Sequence, residues 1–170
     1  MSLTSREFWT VVHGLILGSL YLVAFAGGIA GLYSLRKEFV TEQGVAERMR
    51  RLYTGVWLMT AVVWLTVIVG TYVVYPWYRA QLPTSARSLL LANPMKAGWH
   101  TFGMEWKEHV AWLAPILVTA VAALVSYYGR ELVQMEKVRK AALVLFVLAF
   151  VAAAVAGLFG AFINKAAPIV

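Results

Sequence analysis

The sequence predicts an all-α integral membrane protein in which four helices form an up-down bundle, with both chain termini on the outer side. The chain is 61% hydrophobic and only 14% charged, whereas soluble domains are nearer half apolar and a quarter charged. Four apolar runs are long enough to cross a bilayer, and none shows the period-two alternation of a barrel strand. With 170 residues, we expect one membrane domain over residues 1–170.

The four predicted spans are Phe8–Leu35, Tyr53–Tyr78, His109–Tyr128 and Ala141–Ile163. The first is long enough to tilt or to project from the bilayer. A secretory signal peptide is the alternative for this segment, because "AFAG" at 24–27 offers a cleavage site. The basic flank is weak, since Glu7 cancels Arg6, and the apolar run continues past Ala26. We therefore expect a helix that is retained.

Lysine and arginine predict the orientation of the spans. Connection 36–52 carries five such residues and connection 129–140 carries four, whereas the much longer connection 79–108 also carries four. The positive-inside rule then places the two dense connections in the cytoplasm. We expect the cytoplasmic membrane of a bacterium or archaeon. The net charge of +7 sits beside apolar segments, which favours anionic lipid headgroups, rather than nucleic acid, as the partner.

The connection 79–108 is predicted to lie on the outer membrane surface. It mixes apolar, aromatic and basic residues, and Pro94, Gly98 and Gly103 interrupt it. This composition is typical of short interfacial helices.

Small residues recur at every fourth position in two spans. They are Gly14 and Gly18 in the first span, and Ala149, Ala153, Gly157 and Ala161 in the fourth. Such stripes let two helix backbones approach closely. In the fourth span we expect helix packing. In the first span the stripe adjoins a histidine, so a flat cofactor is an equal alternative.

Several chemistries are excluded by composition. The chain has no cysteine, which excludes disulfides, iron–sulfur clusters, thiolate metal sites and covalent c-type haem. No charged residue lies deep in a predicted span, so a proton or ion pathway through the bilayer has little support.

The three histidines, His13, His100 and His109, all fall on the outer side in this topology. Polar side chains are costly in a span and are therefore candidate functional groups, although a single interfacial histidine can simply bond to a carbonyl or to water. His13 and His109 lie on different helices at similar depth. Two such imidazoles can bind one haem b between them. Gly14 and Gly18 beside His13 would admit the ring.

In its four spans and its histidine pair, the chain resembles the small four-helix membrane b-type cytochromes. The resemblance implies one haem b near the outer face, held by His13 and His109, with His100 or Met104 as substitute ligands. Because no histidine lies on the cytoplasmic side, a second haem is not expected. The resemblance also implies electron transfer with another membrane subunit or with an extracytoplasmic redox subunit. Quinone is a further partner to consider. Four aromatic residues could line a quinone site: Trp99, Phe102, Trp106 and Trp112.

The stretch "EWKEH" at 105–109 supports a competing hypothesis. Glu105 and His109 are i,i+4 neighbours and can reach one point on a helix surface. Together with His13 they could form a non-haem metal site. If His109 binds a cofactor, we expect the Glu105 carboxylate to accept its ring N–H, while Glu108 turns to water, Lys107 or Arg87. The alternative is that both glutamates only stabilise the start of a helix through its dipole.

The sequence therefore predicts a membrane electron-transfer protein, at most one subunit of an oxidoreductase. Two alternatives stay open. One is a structural or assembly subunit of a larger membrane complex, and the other is a non-haem metal-binding membrane protein.

Overall fold

The computed structural model describes residues 3–169, and among them no strand occurs. The helices, in chain order, are α1 (Ser5–Ser34), α2 (Glu42–Tyr78), α3 (Ala86–Leu91), α4 (Trp99–Val133) and α5 (Glu136–Ala166). A single 3₁₀ turn, Lys37–Phe39, lies between α1 and α2. All helices except the short α3 are long and apolar enough to cross a membrane.

The prediction of four apolar helices is confirmed, because each predicted span falls almost entirely within one of the four long helices. Large apolar side chains remain exposed along them; Val23 is 73% exposed and Leu58 60%. A soluble monomer rarely exposes so much apolar surface to water. The helices also begin earlier than the apolar runs, α2 at Glu42 and α4 at Trp99. Hydropathy marks only the part of a helix that lipid can surround.

Side-chain caps mark where α1 and α3 begin. The Thr4 hydroxyl accepts a hydrogen bond from the Glu7 N–H at 3.2 Å, and the Glu7 carboxylate accepts one from the Thr4 N–H at 2.8 Å. This reciprocal pair satisfies two N–H groups at the start of the helix. The Ser85 hydroxyl accepts from the Ser88 N–H at 3.3 Å and caps α3. In α4, the regular α-helix ends before Gly129, which has a φ of +50° that glycine adopts without strain.

Three of the long helices contain π-helical turns. They are Val12–Ile16 in α1, Gly70–Val74 in α2 and Trp99–Met104 at the start of α4. The α-helical parts are Ser5–Val11 and Leu17–Ser34 in α1, Glu42–Val69 and Tyr75–Tyr78 in α2, and Glu105–Val110 and Leu113–Tyr128 in α4. A 3₁₀ segment, Gly129–Val133, completes α4. π turns are rare and are frequent at functional sites.

The described residues form two compact units. The first unit comprises residues 3–19, 64–112 and 152–169, and the second comprises residues 20–63 and 113–151. All three π turns and all three histidines belong to the first unit. A compact unit is a group of residues that pack against one another and is not by itself a domain. The single membrane domain over residues 1–170 stays a prediction.

The core of the first unit lies around Tyr78, Leu90, Met104 and Ile163, all of which are buried. Leu90 brings α3 into this core. The predicted interfacial connection 79–108 therefore contains one short helix, and its last ten residues belong to α4.

The second unit contains both connections that are dense in lysine and arginine. Its core includes Phe146, whose ring stacks on Phe25 with 5.2 Å between centroids. A Cβ at Gly28 would lie only 2.5 Å from the Phe146 ring, so this glycine is needed for the packing. The buried Arg139 donates to the carbonyls of Leu132 and Val133 and so satisfies carbonyl groups at the end of α4.

The packing prediction for the small-residue stripe of α5 is wrong for two of its members. Ala149 is buried, but Gly157 and Ala161 are exposed, and Ala152 and Ala156 are buried instead. Four residues span more than one helical turn of 3.6 residues. A stripe at every fourth position therefore drifts away from the packed face.

Candidate functional site

His13 lies in the π turn of α1, and its ring is half-buried. Its Nδ1 is 2.8 Å from the backbone oxygen of Thr66 in α2. A carbonyl oxygen can only accept a hydrogen bond, so Nδ1 carries the proton. In the neutral ring, Nε2 then carries the lone pair. Fixing the tautomer through a second acceptor is how proteins orient imidazole ligands.

Gly70, in the π turn of α2, makes room for the His13 ring. A Cβ at this position would lie 2.5 Å from Cε1 and 3.1 Å from each ring nitrogen. No larger residue fits without moving the ring. On α1 the surroundings are open, because a Cβ at Gly14 or Gly18 would meet nothing within 4 Å. The described part of the chain therefore leaves the surface at these two glycines open.

Lys107 lies against α5. A Cβ at Gly160 would be 2.8 Å from its Nζ. The lysine is half-buried. Within residues 3–169, no hydrogen bond or ion pair is formed by this ammonium.

His109 lies in the α-helical part of α4 and is exposed. Its Nδ1 is 2.6 Å from the backbone oxygen of Glu105, one turn earlier. In this structure the acceptor is the backbone carbonyl of Glu105, because an i−4 carbonyl lies directly below a helical side chain. The bond gives His109 the same tautomer as His13. The Glu105 carboxylate as the acceptor beside a bound cofactor stays a prediction. Two residues turn a helix by about 200°, so His109 and Lys107 leave α4 on different sides. Among the described residues no hydrogen bond or ring contact joins His13 and His109, and binding of one haem by both stays a prediction.

His100 lies in the π turn of α4 and is buried, with 6% exposure. Arg87 Nε donates to its Nε2 at 3.3 Å, and Nδ1 is 2.9 Å from the Tyr78 hydroxyl. Because Nε2 accepts from arginine, Nδ1 carries the proton and donates to the tyrosine oxygen. Both ring nitrogens are therefore occupied, whereas His13 and His109 each use one.

Arg79, at the end of α2, binds both glutamates of α4. Its guanidinium donates to Glu105 at 3.1 Å and to Glu108 at 3.2 Å and lies 5.2 Å from the centroid of the Tyr75 ring. The sequence predicted water, Lys107 or Arg87 as the surroundings of Glu108, and the structure places Arg79 there instead. This cluster keeps both carboxylates away from Lys107.

In the part of the chain that the structure describes, no group of three or more His, Asp or Glu side chains is arranged to hold a metal ion. The carboxylate of Glu105 is bound to Arg79, and Met104 is buried in the core of the first unit. Ligation by His13, His109 and Glu105 stays a prediction.

Five residues of the site were not singled out from the sequence. They are Gly70, Tyr78, Arg79, Lys107 as a cation against α5, and Arg87 as a partner of His100. A glycine in the middle of an apolar span was the available signal for Gly70. The segment "YPWYR" at 75–79 is typical of an aromatic belt at a membrane surface. That composition does not predict the hydrogen bonds of Tyr78 and Arg79.

Comparison of the chain with protein-family models, with curated proteins and with solved structures finds no match. The function must therefore be argued from the geometry of the first unit.

Proposed function

We propose that the protein transfers electrons at the membrane and holds one haem b in its first unit, with His13 as an iron ligand. The observation that carries the proposal is the setting of His13. Its proton is held on Nδ1 by the Thr66 carbonyl, and its ring is seated against Gly70. The lone pair on Nε2 is what haem iron accepts from histidine.

His109 is the second axial ligand in this proposal. Its Nδ1 is bound to the Glu105 carbonyl, so its Nε2 is also available, and the side chain is exposed. The surface at Gly14 and Gly18 is open, so no side chain blocks a flat ring from approaching α1 at these two glycines. His100 is not assigned a ligand role, because Arg87 and Tyr78 occupy its nitrogens.

The haem belongs near the outer face. The four helices run up and down, and the two connections dense in lysine and arginine, 36–52 and 129–140, face the cytoplasm of a bacterium or archaeon. His13 and His109 then fall at the outer ends of their spans, where the haem exchanges electrons with an extracytoplasmic or neighbouring membrane redox subunit, or with quinone. The protein acts as one subunit of an oxidoreductase.

Absorption spectra of the purified protein, before and after reduction with dithionite, test the proposal. Expressed with ample haem, the wild type should show the Soret and α bands of a six-coordinate, low-spin haem b. His13→Ala should remove the bound haem. His109→Ala should leave a five-coordinate, high-spin haem. As a control, His100→Gln should keep the wild-type bands.

A colourless wild type would contradict the haem proposal and favour the structural or assembly subunit. A colourless protein that retains a stoichiometric transition metal, measured by elemental analysis, would favour the non-haem metal protein. Unchanged bands in His109→Ala would show that another residue is the second ligand.

A further inference from the structure

Lys107 is a half-buried cation without a partner in the first unit. Its ammonium lies against the backbone of Gly160, and it forms no ion pair within residues 3–169. A partly desolvated charge is costly unless it is paired or hydrogen-bonded. The missing partner has to be an acceptor, and a negatively charged one stabilises an ammonium best.

The nearest carboxylates on the same helix do not supply that partner. Glu105 and Glu108 lie two residues before and one residue after Lys107, and both are bound by Arg79. His13 does not supply it either, because no hydrogen bond joins the ammonium to its ring within residues 3–169. The anion therefore comes from outside the described chain.

The ammonium of Lys107 lies against the backbone of α5. A lysine near a membrane surface ordinarily extends its charged head toward water. The Nζ of Lys107 instead lies 2.8 Å from the position that a Cβ at Gly160 would occupy. Lys96, in the same unit, behaves differently: it is exposed, and its Nζ donates to the Ala166 carbonyl at 2.9 Å.

We infer that Lys107, which lies against Gly160 in the first unit, binds an anionic oxygen group, a carboxylate or a phosphate, of a ligand embedded in the membrane. Two sources offer this chemistry. One is a propionate carboxylate of the haem, and this source rests on the proposed function. The other is the phosphate of a phospholipid such as phosphatidylglycerol, which does not depend on haem.

The first arm of the test uses protein from haem-starved cells, titrated with haem b and with its dimethyl ester, in which both carboxylates are blocked. If a propionate is bound, the wild type should bind haem b about tenfold more tightly than the ester. The preference should disappear in Lys107→Met and remain in the matched control Lys96→Met.

The second arm measures phosphatidylglycerol retained per protein after extraction, by native mass spectrometry. If a lipid phosphate is bound, Lys107→Met should lose one retained lipid that the wild type and Lys96→Met keep. This arm can succeed when haem b does not bind at all, which separates failure of the haem proposal from failure of this inference.

Gly160→Ala provides a second variant that keeps the charge, because its Cβ would displace Nζ. Gly160→Ala should reduce whichever quantity Lys107→Met reduces, either the preference for haem b over its ester or the retained phosphatidylglycerol. Gly157→Ala, whose Cβ would meet nothing within 4 Å, should change neither quantity. The inference is overturned if neither haem discrimination nor lipid retention depends on Lys107, or if Lys96→Met reproduces the effect.

Discussion

Gly70 and Gly55 lie on the same helix, and adding one methyl group to each should have opposite effects. Gly70→Ala would place a Cβ 2.5 Å from His13 Cε1. The ring must then move off the Thr66 carbonyl. We expect the free energy of unfolding in detergent to fall by about 1–3 kcal/mol, as for other overpacked sites. Thermal or chemical unfolding followed by circular dichroism measures it.

Gly55→Ala is the matched control, because a Cβ there would meet nothing within 4 Å. Replacing an unconstrained helical glycine by alanine stabilises a protein by about 0.4–1 kcal/mol, mainly through the unfolded chain. Shifts of the same sign in both variants would refute the role of Gly70 as the seat of the His13 ring.

The three histidines differ in chemistry because of their individual hydrogen bonds. His13 and His109 each bond to one backbone carbonyl, which leaves one nitrogen for a ligand. His100 bonds to Tyr78 and Arg87 and has none left. The sequence predicted all three as candidate ligands, since residue type and depth in the membrane do not reveal which ring nitrogens are already occupied.

The π turns have a common consequence for the helices that contain them. Each holds a residue of the site: His13 in α1, Gly70 in α2 and His100 in α4. A π turn adds one residue to a helical turn. The side chains of the following helical segment are therefore rotated by about 100° about the helix axis. Apolar periodicity does not predict such an insertion, because lipid-facing helices are apolar on all sides.

Helix α3 should depend strongly on its cap. It has only six residues, and helices this short are marginal without packing or capping. Ser85→Ala removes the acceptor for the Ser88 N–H, a loss of about 0.5–2 kcal/mol for typical caps. We expect faster amide hydrogen exchange across residues 86–91, measured by mass spectrometry. Thr84→Ala, at an exposed neighbouring position, is the control and should leave the exchange unchanged. Equal exchange in both variants would mean that packing of Leu90, rather than the cap, holds α3.

The orientation of the whole chain can be tested on a clean background, because the protein contains no cysteine. Gln43, Thr84 and Gln134 are exposed connection residues. In right-side-out vesicles, an impermeant maleimide should label Thr84→Cys and should not label Gln43→Cys or Gln134→Cys. Inverted vesicles should give the reverse pattern, since the positive-inside rule places residues 43 and 134 in the cytoplasm. Labelling of all three positions from one side would refute the up-down topology.

The four membrane helices could be predicted because they follow from local properties of the chain. Bilayer thickness sets the length of an apolar run, and the absence of water in the hydrocarbon core requires helical hydrogen bonding. Both constraints act on consecutive residues, so the composition and spacing of one stretch of sequence are enough to predict a membrane helix. His13 could be singled out for the same reason, as a costly polar residue in such a run.

Only the tertiary structure decided which partner each polar side chain has. Glu105 and Glu108 flank Lys107 in sequence, yet both bind Arg79 from another helix, and Lys107 lies against Gly160 of α5. These choices depend on how each helix is rotated about its axis. That rotation follows from the close packing of side chains between helices and from one-residue insertions at π turns, and neither is a property of a single stretch of sequence.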